Sequence, residues 1–87
     1  MNIHEELAEI VTALRRERDA IHLKLHLLKA EARDEWHALE GKWNHLQQKA
    51  AGLGDATGEA AGDVAAAARL LGEELTRGYH RIRDSLK

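Results

Sequence analysis

The chain contains no proline, and its first glycine is Gly41. Through that unbroken stretch and on to Ala50, apolar residues recur at helical spacing: Ile3, Leu7, Ile10, Leu14, Ile21, Leu25, Leu28, Ala32, Trp36, Leu39, Trp43, Leu46 and Ala50. At about 100° per residue they fall within a sector of roughly 80°, narrow enough for a helix–helix seam. With no proline, and no glycine before Gly41, the pattern predicts one long helix over residues 2–50. Asn2 suits the N-cap and Glu5 stands three residues on, as in a capping box. Glu5, Glu6 and Glu9 complement the positive end of the helix dipole.

Within the stripe, Ile10, Ile21, Ala32 and Trp43 are 11 apart, and so are Leu14, Leu25 and Trp36. An 11-residue repeat corresponds to about 3.67 residues per turn, which predicts weak supercoiling. Glu17 and Arg18 interrupt the seam where an apolar residue is expected. A break near Arg15–Arg18, giving three helices, is the alternative. Residues 21–29 (IHLKLHLLK) alternate as a strand would. Ile21, Leu25 and Leu28 nonetheless continue the seam, so the stretch reads as helix. Leu23 and Leu27 then lie about 200–240° round from Ile21. They form a second, weaker apolar face with Ala13, Ala20, Ala30 and Ala38.

The first firm stop is KAAGLGDATGEAAG, residues 49–62. Gly52 suits the C′ position of the first helix, and Asp55 or Thr57 can cap a second. Gly58 and Gly62 weaken the first turns of that helix and could allow close backbone approach. The turn is expected at about residues 51–56 and the second helix at about 57–86. Its stripe is Ala60, Val64, Ala68, Leu71, Leu75, Tyr79, Ile82 and Leu86.

The expected fold is therefore all-α: an antiparallel two-helix hairpin forming a single domain over residues 1–87. The long helix would span roughly 72 Å and the shorter one roughly 45 Å at 1.5 Å per residue. Ile3, Leu7, Ile10 and Leu14 would lack an intrachain partner, and contiguous exposed apolar surface marks an interface. The expectation is a homo-oligomer, a dimer assembling a four-helix bundle. Its interface residues would be Ile3, Leu7, Ile10, Leu14, Leu23, Leu27, Trp36 and Trp43. Trp36 and Trp43 fill the seam opposite Ala60, Ala61, Ala67 and Ala68, or else anchor an amphipathic helix at a membrane surface.

Several function classes fall away on composition. Thirteen Lys and Arg against 15 Asp and Glu, a net charge of −2, give no basic footprint for nucleic acid. There is no cysteine, and Ser85 is the one serine. No Gly-rich loop follows a strand, so GLGDATG reads as a hinge and not a phosphate cradle. A thin hairpin also offers no pocket of catalytic size. No enzyme activity and no cofactor are expected. The acidic N-terminus has no apolar signal core, and no apolar run is long enough to span a bilayer, so the expected compartment is the cytoplasm.

His22 and His26 are spaced i, i+4 and Asp19 precedes them, a three-ligand set that a continuous helix could close on zinc, copper or nickel. The competing reading is that these histidines edge the apolar stripe as ordinary polar residues, and it is the one favoured. No metal site is assigned.

Gly54, Asp55, Ala56, Val64, Ala68, Leu71 and Leu75 form a G-D-A…V…A…L…L pattern after a long charged helix. In this the chain resembles short bacterial coiled-coil proteins of unassigned function, similar in periodicity to apolipoprotein-type repeats. The resemblance covers roughly residues 20–80. Thr57 and Ala68 stand where that group carries tryptophans. It implies a helical pair and no catalytic or binding residues. The expected function is a non-enzymatic helical module for protein–protein association, with itself or with another protein. Reversible lipid or membrane-surface binding is the alternative, and a histidine metal site at a helix–helix interface is the third reading.

Overall fold

A computed structural model describes residues 3–53 and 58–86, with side chains described from Glu5 onward. Ile3's side chain, the Asn2 cap and the Asp55 and Thr57 caps lie outside the described residues. Three helices are present and no strand among the described residues: α1 (Ile3–His22), α2 (Ala30–Leu53) and α3 (Gly58–Ser85). The all-α expectation holds, but the single helix over residues 2–50 is corrected to two. The break falls at residues 23–29, inside IHLKLHLLK, and not near Arg15–Arg18, where α1 is continuous.

The break is made without glycine or proline. Lys24 N–H donates to the Ile21 carbonyl at 2.8 Å, and Leu27 N–H to the Lys24 carbonyl at 2.9 Å. Residues Leu25–Leu27 form one 3₁₀ turn, and Leu28 is extended at φ −76°, ψ 138°. Arg33 N–H to the Lys29 carbonyl opens α2. Backbone pairing is thus nearly maintained through the reversal, so its cost in hydrogen bonds is small. The driving force is tertiary. Folding α1 back buries Leu7, Leu14 and Ile21, which a straight helix would leave in water. Helix propensity, worth tenths of a kcal/mol per residue, loses to burial of about 1.5–3 kcal/mol per large apolar side chain.

The bundle runs up, down, up. Arg18 meets Glu40 and His22 meets Trp36, so α1 and α2 are antiparallel. Glu35 meets Arg81 and Lys42 meets Glu74, so α2 and α3 are antiparallel. Glu6 meets Arg69 and Glu17 meets Arg83, so α1 and α3 run parallel. The molecule measures 44 × 20 × 16 Å. Its length is that of α3, whose 28 residues span about 42 Å.

The core is one seam shared by three helices. It holds Leu7, Leu14 and Ile21 from α1, and Leu28 from the break. Trp36, Leu39, Trp43, Leu46 and Leu53 come from α2, and Ala65, Ala68, Leu75, Tyr79 and Ile82 from α3. These positions step by sevens from Leu7 to Leu28, and chiefly by threes and fours on α2 and, with Gly72, on α3, the heptad spacing of knobs-into-holes bundles. The 11-residue reading is corrected accordingly. On α3 the buried position is Gly72, with Leu71 only half-buried beside it.

Two glycines set the helix spacing. A Cβ at Gly78 would lie 2.5 Å from Leu39 Cδ2, and one at Gly72 would lie 3.0 Å from Ile10 Cγ2. Gly78 brings α3 against α2, and Gly72 brings it against α1. Gly58 and Gly62, expected to allow close approach, have nothing within 4 Å of an added Cβ. Gly58 instead adopts φ +60° where α3 begins, a conformation that disfavours side chains.

Candidate interaction surface at the helix break

Tertiary folding sorts the expected interface residues into two groups. Leu7, Leu14, Trp36 and Trp43 are buried within the chain at 2–4% exposure, and Ile10 is half-buried. They do not form a free apolar patch, because α3 covers the half of α1 expected to lack a partner. Leu23 and Leu27 go the other way, at 78% and 60% exposed. Both sit in the break, where the chain no longer has a helical face to bury them. Leu70 on α3, 61% exposed, is the other large apolar side chain in water among the described residues.

The surroundings of Leu23 and Leu27 are basic. Residues 20–30 contain Lys24, Lys29, His22 and His26 and no acidic residue. A cleft beside the break is lined by Leu25, His26, Arg33, Trp36 and His37. A second is lined by Ala20, Ile21, Lys24, Arg83 and Leu86. The His22 ring lies 6.2 Å from the Trp36 ring.

One helical turn below the break, polar and aromatic groups converge. Arg18 donates from Nε and Nη2 to the two Glu40 carboxylate oxygens, each at 2.7 Å. The guanidinium also lies 5.9 Å from the ring centres of both Trp36 and Trp43, and Arg15 lies 5.9 Å from Trp43. Arginine stacked on aromatic faces and forked onto a carboxylate is held in plane and orientation. Its pKa is raised, first by the Glu40 hydrogen bond. This resolves the interruption at Glu17 and Arg18. Arg18 takes up a seam position by covering the two indoles, while Glu17 pairs with Arg83 on α3 at 2.8 Å.

Beneath this pair, Tyr79 is fully buried with its ring 6.1 Å from Trp36. Its hydroxyl has no hydrogen-bond partner among the described residues. Burial raises the Tyr79 pKa well above the ordinary tyrosine value, with the Glu40 charge adding to the rise. Uncharged and enclosed at neutral pH, it acts as a core side chain.

The candidate ligands Asp19, His22 and His26 do not share a helix. Asp19 and His22 close α1, whereas His26 belongs to the 3₁₀ turn, so the i, i+4 geometry of the histidines is lost. No group of three or more His, Cys, Asp or Glu side chains able to hold a metal ion occurs among the described residues. No described helix is long and apolar enough to cross a membrane. Sequence reasoning found Leu23 and Leu27 but missed the Arg18–Glu40 pair. The signal available for it was a charged residue inside an apolar seam that carries two indoles one heptad apart, Trp36 and Trp43, further along. A scan of the chain against family models, curated proteins and solved structures finds no match.

Proposed function

We propose that the protein is a non-enzymatic helical interaction module that associates with a second copy of itself. One observation carries this reading: Leu23 and Leu27 stand in water in a connector that has no turn-forming residue. A finished monomer of this size usually closes such a reversal with Gly, Asn, Asp, Ser or Pro and keeps leucine out of it. A connector rich in leucine is consistent with a chain whose working state is an assembly.

Multi-angle light scattering from micromolar to near-millimolar concentration tests the reading. The expected result is a concentration-dependent approach to twice the 9.7 kDa chain mass. A constant monomer mass over the whole range would overturn it.

Lipid-surface binding is kept as a second reading because Lys24 and Lys29 flank the two exposed leucines with no acidic residue between positions 20 and 30. Apolar tips with a cationic fringe bind anionic interfaces. Co-sedimentation with anionic and with neutral vesicles tests it. Binding to anionic vesicles that vanishes in Leu23→Asp/Leu27→Asp supports it, and no sedimentation with either counts against it.

A further inference from the structure

The connector of residues 23–29 is Leu-Lys-Leu-His-Leu-Leu-Lys. Leucine and lysine are among the stronger helix formers, and nothing in the segment forbids a helix. The seam passes through it without a fault: Ile21, Leu25, Leu28, Ala32 and Trp36 keep the three–four spacing and are all buried or half-buried. The reversal depends on few residues, chiefly Lys24 at φ −111°, ψ 13° and the extended Leu28. Local preference and closed fold therefore disagree over this one segment, and disagreement of that kind marks a place with a second solution.

The contacts of α1 show what the second solution is. Arg18 with Glu40, His22 with Trp36 and Arg15 with Trp43 are each centred on residue 29. Two antiparallel helices that are continuous through the connector, crossing at residue 29, would present these same pairs to each other. We propose that residues 23–29 act as a hinge that straightens, and that α1 of one copy then packs on α2 and α3 of another. This rests on the self-association reading and specifies its mode.

Exchange of an identical element remakes every contact across chains at no loss of complementarity. Arg18–Glu40, Glu6–Arg69 and Glu17–Arg83 become interchain, while Glu35–Arg81 and Lys42–Glu74 stay within each chain. The connector gains α-helical hydrogen bonds in place of its 3₁₀ turn. Leu23 and Leu27 become an i, i+4 pair stacked on one helix flank. Each chain is then a long helix paired with α3, and two chains make two three-helix bundles end to end, each of α1 from one copy with α2 and α3 from the other.

Two variants test the exchange. The chain has no native cysteine, so Ile10→Cys/Gly72→Cys places a single pair where a Cβ at 72 lies 3.0 Å from the Ile10 side chain. That is within reach of a disulfide. The dimer fraction is oxidised and run on a denaturing gel without reductant. A covalent dimer is expected, whereas a disulfide closed within each chain overturns the exchange.

Ala30→Pro requires no cysteine. Ala30 is the first residue of α2, where proline is well tolerated, but in a straightened helix it would be an interior proline. The expected result is a dimer dissociation constant raised at least about a hundredfold with monomer helicity intact. An unchanged constant overturns the exchange and leaves self-association standing. A wild-type chain that stays monomeric throughout removes both.

Discussion

The Arg18 guanidinium lies across Trp36 and Trp43 while its Nε and Nη2 donate to Glu40, so one side chain joins α1 to α2 through charge and through aromatic contact. Arg18 and Glu40 are each about a quarter exposed, so solvent weakens the pair less than it would a surface bridge. Arg18→Ala should cost about 1–2 kcal/mol and lower Tm by roughly 5–10 °C, read by circular dichroism at 222 nm. Removing Lys42, whose bridge to Glu74 lies in solvent, should leave Tm nearly unchanged. Equal losses from the two substitutions would remove the special status given to Arg18.

Gly78 and Gly62 should respond to alanine with opposite sign. At Gly78 the new methyl group meets Leu39, itself 3% exposed and without room to withdraw, so Gly78→Ala should destabilise by about 1–3 kcal/mol. At Gly62 there is open space, and alanine should stabilise by about 0.5–1 kcal/mol through the unfolded chain and helix propensity. Urea midpoints of the two variants decide it. Leu39→Ala placed on top of Gly78→Ala should cost less than Leu39→Ala alone, because it also relieves the clash with the new methyl group.

Tyr79→Phe should leave stability unchanged or raise it by up to about 1 kcal/mol at pH 7, since the hydroxyl it deletes is buried without a partner among the described residues. The same group sets an alkaline limit. Its folded pKa is raised above the ordinary value of 10.0, chiefly by burial, so the native state holds a proton that the unfolded chain releases. This contribution is fully present below about pH 10 and is lost as pH climbs above it. Urea midpoints at pH 9 and pH 11 should fall less in the phenylalanine variant. An identical fall in both would show that other groups govern the alkaline edge.

Zinc titrations of the wild type and His22→Ala should coincide, both weak, because His26 is no longer on the helix that carries Asp19 and His22. Tight binding abolished by His22→Ala would require a different arrangement of the break.

The sequence disclosed the helices better than their meeting points. Stripe positions such as Leu14, Trp36 and Ile82 were legible because burial and hydrophobicity coincide there. Gly72 and Gly78 were not, because a glycine buried for its lack of a side chain carries no apolar signal, and Leu71 beside it mimics the core position. The break was illegible for a different reason. Every residue from Leu23 to Lys29 accepts a helix, and the reversal is favoured only by contacts that α1 makes with α2 and α3 once the chain has turned. Leu23 and Leu27 were singled out as a second apolar face, and they are the exposed ones. Leu7 and Leu14, expected to face another chain, are buried within this one instead.

The parallel pairing of α1 with α3 also orders events in time. The ion-pair partners of Glu6 and Glu17 lie 63 and 66 residues further along the chain, and α3 is synthesised after both α1 and α2. α1 therefore leaves the ribosome first and completes its contacts last. Until then Leu7, Leu14 and Ile21 are without the surface that finally covers them. Of the three helices, α1 has the longest exposure to chaperones, to proteases and to neighbouring chains.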